Sequence, residues 1–164
     1  MADNSRWSPW LAIRATVAQV EEGGVLAPKF DQRGLLPAVV TDATSGEVLM
    51  LGYMNAEALI RSIDTGEAHY WSRTRQRIWH KGASSGQVHK IVEMRIDDDQ
   101  DSVWPRVAVG GIGGSCHVGY RSCFYRSVDL GLPADRPVSL RFQEQQKLFD
   151  PSDVYGDADN PTIL

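Results

Sequence analysis

Both cysteines of the chain, Cys116 and Cys123, stand seven residues apart with His117 against the first, and Asp97, Asp98, Asp99 and Asp101 crowd the stretch before them. Sulfur and imidazole are soft or borderline ligands and carboxylate oxygens are hard ones, so residues 97–125 carry donors for two kinds of cation. If Val88 to Asp97 runs extended, residues two apart share a face, so Asp97, Asp99 and Asp101 point one way and Asp98 the other, and one short stretch serves two sites. Zn²⁺ lowers the pKa of a coordinated water to about 7, and a neighbouring imidazole can move the proton that a hydrolysis requires. The chemistry these residue types suggest is therefore metal-assisted hydrolysis.

Several elements must position them. Ser8-Pro9 reads as an N-cap and first helical residue, leading an amphipathic segment through Leu11, Val17 and Val20 that Gly23-Gly24 ends. Leu35 to Thr41 and Val48 to Tyr53 are β-rich runs joined by Ala43-Thr44-Ser45-Gly46, a hairpin pattern. Asn55 caps a helix with Glu57 in its first turn, Leu59 and Ile63 on its apolar side and Gly66 at its exit. Three more strands are predicted at Ala68–Ser72, Val88–Asp97 and Ser102–Val109, with Pro105 implying an edge or a bulge in the last. In Val88–Asp97 the apolar face is Val92, Met94 and Ile96, opposed by His89, Glu93, Arg95 and Asp97. Gly110-Gly111-Ile112-Gly113-Gly114 permits close backbone approach before Cys116 but lacks the lysine and following helix of a nucleotide P-loop.

A length of 164 residues at 42% hydrophobic suits one core and a single domain, 1–164. A net charge of -4 argues against nucleic acid as a partner, although Arg73, Arg75, Arg77 and Lys81 form a local cluster suited to a small phosphorylated ligand. The first residues lack a signal-peptide pattern and no apolar run approaches membrane-spanning length, so a cytoplasmic protein without a membrane partner is expected. In that compartment two cysteines read as thiols or metal ligands before a disulfide. Residues 150–164 read as a loosely held tail.

Taken together, Gly46-Glu-Val-Leu-Met50 with Tyr53-Met-Asn55, Tyr70-Trp-Ser-Arg73, Trp79-His-Lys-Gly82, Ser84-Ser-Gly86, Asp97–Asp101 and Cys116-His117 through Ser122-Cys-Phe-Tyr-Arg126 resemble the phosphoribosyl-AMP cyclohydrolases of histidine biosynthesis. The resemblance covers about 34–126, leaving 1–33 as an N-terminal extension and 127–164 as a C-terminal tail. It implies hydrolytic opening of the adenine ring of N1-(5-phosphoribosyl)-AMP at N1–C6, the third step of the pathway. It also implies a homodimer with shared active sites. By the same resemblance Asp97, Asp99 and Asp101 match magnesium ligands, Cys116 and Cys123 match two zinc thiolates, and His117 matches an active-site histidine. His80 is a second catalytic candidate, while Arg73, Lys81, Ser84, Ser85 and Gly86 are phosphate contacts. The expected fold is α+β: a mostly antiparallel, strongly curved sheet with a few helices, paired into an intertwined dimer.

Two positions depart from the family pattern. Asp98 stands where the family has its first zinc thiolate, so the metal there is zinc or another divalent transition metal with a harder preference. Gln87-Val88-His89 replaces a common His-Val-Gln, exchanging a polar pair across one residue. These departures leave three readings: a zinc-sparing second copy of the cyclohydrolase, a ring hydrolase or deaminase for another purine nucleotide, and a non-catalytic nucleotide- or metal-binding paralogue.

Overall fold

A computed structural model describes residues 10–131, 137–158 and 160–162. The chain runs α1 (Val17–Glu21), β1 (Leu36–Asp42), β2 (Val48–Met54), α2 (Ala56–Thr65), β3 (His69–Ser72), β4 (Arg77–His80), β5 (His89–Ile96), β6 (Val103–Val109), β7 (Arg126–Val128), β8 (Leu140–Phe142) and α3 (Pro151–Tyr155). Four strands form one mixed sheet in the order β2-β1-β6-β5, and β3-β4 and β7-β8 are separate hairpins. The α+β class holds, with one parallel pairing, β1 with β6, among antiparallel ones.

The β1–β2 hairpin forms where alternating burial requires it, with Leu36, Ala38 and Val40 fully enclosed on one face. Asn55 caps α2 through Ala58 N at 2.8 Å, and Gly66 ends it with φ 68°, a left-handed conformation glycine adopts without Cβ strain. Leu59 packs in the core, but Ile63 is 42% exposed, because the helix presents Ala58, Leu59 and Ser62 inward. The Ser62 hydroxyl accepts from His69 N at 2.9 Å and so ties α2 to β3.

Four expectations are corrected. The first helix is only Val17–Glu21 and is capped by Thr16, whose side chain accepts from Gln19 N; Ser8 and Pro9 lie outside the described residues. Pro105 is not on an edge: β6 is an inner strand, and the irregularity sits on the neighbouring β5, between Ile91 and Glu93. That bulge reverses the alternation of β5. His89 and Ile91 face inward before it and Met94 and Ile96 after it, so Val92 is 65% exposed while His89 is fully buried. Finally, Asp97–Asp101 is not extended. β5 stops at Ile96, Gln100 N donates back to Asp97 O at 3.2 Å, and Gln100 takes φ 57°.

β4 escapes a sequence reading because its turn carries no glycine or asparagine. Gln76 supplies the positive φ, at 49°, where those residues are usual. Residues 140–149, adjoining the expected tail, pack back on the rest of the chain: Gln143 N donates to Tyr125 O and Leu148 N to Gly119 O, both at 2.8 Å.

Candidate active site

The cysteine loop is built on the free edge of β2. Cys123 N donates to Leu49 O at 2.7 Å, the Ser122 hydroxyl donates to Val48 O at 2.7 Å, and Arg121 pairs with Asp42 at 3.0 Å and Glu47 at 2.7 Å. Within the loop, Cys116 N donates to Tyr120 O and Ser115 N to Arg121 O. The two ends therefore lie side by side, and both thiols are free. The interaction with Cys123, opposed by burial and helped by the Val118 backbone N–H and the Lys81 charge, holds the Cys116 thiol below the usual range; the reciprocal interaction pushes Cys123 up.

Lys81 lies beneath this pair, 4% exposed, donating to Ser115 O at 2.6 Å and standing 4.9 Å from the Trp79 ring. Burial lowers its pKa, and the two thiols oppose that shift. Lys81 thus faces the cysteines rather than the outer surface, where a phosphate would first arrive. His117 follows Cys116, and its Nε2 is buried with no hydrogen-bond partner among the described residues. Burial first and the Lys81 charge second lower its pKa, while Asn160 stands within hydrogen-bonding reach of the ring. A buried imidazole nitrogen left unpaired costs stability unless a ligand completes it, so His117 suits a proton-transfer role.

Behind the loop stands a polar pair. His89 Nε2 shares a hydrogen bond with the Ser115 hydroxyl at 2.9 Å, and Nδ1 lies 3.4 Å from Tyr70 Oη. Burial, with a smaller contribution from Lys81, takes the His89 pKa down to about 3, so the ring is neutral. Gln87 Oε1 accepts from Gly114 N at 3.2 Å, and a Cβ on Gly111, whose φ is 60°, would fall 2.8 Å from Gln87 Nε2. The exchanged residues Gln87 and His89 both grip the glycine-rich loop that delivers Cys116.

The other candidates lie elsewhere. His80 Nε2 donates to Glu67 Oε2 at 2.8 Å and the ring stacks on His69 at 4.5 Å, which places it on the β3–β4 hairpin in an orienting pair. The Arg73 guanidinium lies 4.1 Å over Tyr53. Ser84, Ser85 and Gly86 form a turn closed by Gly86 N to Gly82 O at 2.8 Å, with Ser84 and Gly86 exposed.

Asp97, Asp99 and Asp101 do converge, each offering an oxygen within 4.8 Å of the others. Asp97 accepts from Asp101 N at 2.9 Å, Ser102 N at 3.0 Å and the Ser102 hydroxyl at 2.6 Å, which closes the turn and, against the opposing effect of burial, lowers its pKa. This all-oxygen set fits a hard cation such as Mg²⁺. Asp98 is exposed, and among the described residues no third His, Cys, Asp or Glu ligand atom joins the cysteine pair. Two thiolates fit zinc in kind but leave its tetrahedron incomplete within one chain.

Sequence reasoning missed Gln100, Ser115, Lys29 and Glu144. Gln100 is buried and joins the acidic turn to the N-terminal segment, accepting from Ala27 N at 2.7 Å and donating to Val20 O at 2.9 Å. Its only signal was its place inside an acidic run. Lys29 follows on that segment and reaches Asp99 at 3.3 Å and Asp101 at 3.5 Å. Lys29→Met should raise the affinity of the triad for Mg²⁺ about two- to fivefold, the scale of exposed ion pairs, because a competing charge is gone. Calorimetric Mg²⁺ titration checks this; weaker binding in the variant would show that Lys29 instead organises the ligands.

A sheet-based α+β scaffold that holds a soft donor pair and a hard oxygen triad is the frame of a metal-using enzyme. A profile described as Phosphoribosyl-AMP cyclohydrolase matches residues 50–125. Curated proteins named Phosphoribosyl-AMP cyclohydrolase are similar along most of the chain. One from Rhodopseudomonas palustris (strain BisA53) is 55% identical over 139 residues, covering 83% of this chain and 90% of the relative. Another from Nitrobacter hamburgensis is 51% identical over 136 residues, covering 83% and 90%. A third from Rhizobium leguminosarum bv. trifolii is 48% identical over 137 residues, covering 84% and 89%. The chain belongs to the phosphoribosyl-AMP cyclohydrolase family, hydrolases of histidine biosynthesis.

Proposed function

We propose that this chain opens the adenine ring of N1-(5-phosphoribosyl)-AMP in the cytoplasm, in sites shared by two copies whose curved sheets intertwine, with 1–33 and 127–164 part of the same domain. The observation that carries the shared site is distance. His89, bonded to the residue before Cys116, begins β5, and Asp97 follows its last residue. Eight strand residues at ~3.3 Å each separate soft and hard donors by roughly 26 Å, too far for one substrate-sized site in a single protomer. The edge strand β5 also lines an apolar groove of ≈ 400 Å³ with Leu26, Leu59, Ile63 and the exposed Val92, a surface a second copy can cover. Among the described residues no helix is long and apolar enough to cross a membrane.

Cys116 and Cys123 would hold zinc or a harder divalent ion together with Asp98 of the partner subunit, and Asp97, Asp99 and Asp101 would hold magnesium. Bound there, the first cation supplies a water acidified to near neutral pH and the second neutralises phosphate. His117 Nε2 takes the proton of the water that adds at C6 and returns it to N1 as the N1–C6 bond breaks. Such acid–base help is worth about 10²–10⁴ in rate. Lys81 balances the charge of the thiol pair, while Arg73 and the 84–86 turn orient the phosphates.

The experiment is subunit complementation. Asp97→Asn/Asp99→Asn and Cys116→Ser/Cys123→Ser chains, each inactive alone, are mixed under conditions that exchange protomers. Shared sites restore about a quarter of wild-type turnover, because half the dimers are mixed and each carries one intact site. Exchanged but inactive mixtures would mean that the two donor sets do not cooperate across an interface.

A further inference from the structure

The family profile stops at residue 125, yet a carboxylate that grips the cysteine loop by two backbone amides lies beyond it. One oxygen of the Glu144 carboxylate accepts from Arg121 N at 2.8 Å and the other from Ser122 N at 2.9 Å. These are the two amides immediately before Cys123, and a carboxylate accepting two backbone N–H groups fixes both in direction. On either side of Glu144 the chain is anchored to the same loop. Gln143 N donates to Tyr125 O, and Leu148 N donates to Gly119 O in the turn between the cysteines, both at 2.8 Å.

Packing repeats the pattern. The Phe149 ring lies so close to Gly114 that a Cβ there would meet it at 2.7 Å, and a Cβ on Gly119, whose φ is 102°, would fall 2.3 Å from Phe149 O. Gly114 precedes Ser115 and Cys116, so Phe149 presses on one arm of the loop while Glu144 grips the other. Phe142, in β8, packs against Tyr125 and Tyr120, which themselves stack at 4.0 Å beside Cys116 in a small apolar cluster.

We infer that residues 142–149 form a strap that completes the cysteine centre, with Glu144 as a positioning residue for Cys123 and Phe149 as the clamp over the approach to Cys116. Neither side chain touches the reacting atoms. Each acts by holding the backbone that sets the spacing and direction of the thiols, as outer partners of ligands do, where substitution typically costs about 10–100-fold in metal affinity. The inference rests on the reading of Cys116 and Cys123 as metal thiolates only for that consequence; the ordering of the loop stands without it.

The test uses full-length Glu144→Ala and Phe149→Ala. In metal-free protein, mass spectrometry follows alkylation of Cys116 by iodoacetamide, a thiol that is 3% exposed in the intact loop. Both variants are expected to react at least about fivefold faster than wild type. Acceleration in Glu144→Ala alone would reveal a purely electrostatic effect on the thiols and overturn the strap, as would wild-type rates in both. Because Cys123 is already exposed, a variant that has lost global structure is recognised by the absence of a cooperative urea transition, and Gln substituted for Glu144, which keeps one acceptor, is measured beside it. An intermediate rate supports the strap and a wild-type rate overturns it. Co²⁺ titration then reads thiolate-to-metal charge-transfer absorption. Absence of that band in wild type removes the metal reading while the alkylation rates still decide the strap; a band with tenfold weaker affinity in both variants joins the two.

Discussion

Cys116→Ser is expected to lower kcat/KM for N1-(5-phosphoribosyl)-AMP about 10³-fold or more, equivalent to ~4 kcal/mol of transition-state stabilisation. The thiol is 3% exposed and free, so a hydroxyl fits the space with little disturbance. What it removes is an anionic donor, since a serine hydroxyl does not ionise near neutral pH and cannot hold a divalent cation as a thiolate does. Cys123→Ser should behave alike and the double variant no worse than either single one, because the two sulfurs act as a unit. Purified wild-type protein should carry a transition metal that all three variants lose, read by elemental analysis, with urea midpoints unchanged. Retained turnover in Cys116→Ser, or turnover lost with metal still bound, would remove the dithiol from the reaction.

The second large effect concerns the exchanged pair. His89→Gln should lose the hydrogen bonds to Ser115 and Tyr70 and destabilise the protein by about 1–3 kcal/mol at pH 7, the cost of leaving buried polar groups unpaired. Gln87→His should lose the acceptor for Gly114 N and force the larger ring against Gly111. If the two residues act as one support for the glycine-rich loop, the double exchange Gln87→His/His89→Gln restores part of the loss, and the coupling exceeds ~0.5 kcal/mol.

Acid gives an independent reading. Burial, chiefly, takes the native His89 pKa down to about 3, whereas the unfolded histidine titrates near 6.5. The unfolded chain therefore binds a proton on His89 that the native chain refuses. Its contribution is complete above the unfolded value and is lost as pH falls from about 6.5 toward 3, by up to ~1.4 kcal/mol per unit. His89→Gln lacks this proton uptake, so its deficit relative to wild type should shrink between pH 7 and pH 4. Urea unfolding at pH 7, 5.5 and 4 measures it, and a constant or growing deficit would mean that His89 is not held neutral.

Much of the frame could be read from residue order because the signals are local. The 35–54 hairpin follows from period-two burial, and α2 follows from a cap at Asn55 and a left-handed exit at Gly66. The donors themselves were legible because sulfur, imidazole and clustered carboxylates are rare in kind. What failed depended on one misplaced residue or an unmarked turn. The bulge between Ile91 and Glu93 reversed the faces of β5, exposing Val92 and burying His89. Gln76 turned a hairpin without the usual residues. The acidic run curled, so its three oxygens met by a turn rather than by strand alternation.

Residue types and spacing by themselves determined which atoms can bind cations or move protons, and they marked the chain as a cyclohydrolase relative, because donor chemistry belongs to single side chains. Tertiary structure alone decided who supports whom. Lys81 became the buried neighbour of two thiols, Gln87 and His89 the backing of the Cys116 loop, Gln100 the tie to the N-terminal segment and Glu144 the clamp on the amides before Cys123. Such roles join residues 20 to 80 positions apart, and no periodicity carries that information. They arise when burial strips water from polar groups and leaves each needing the partner that the fold brings within reach.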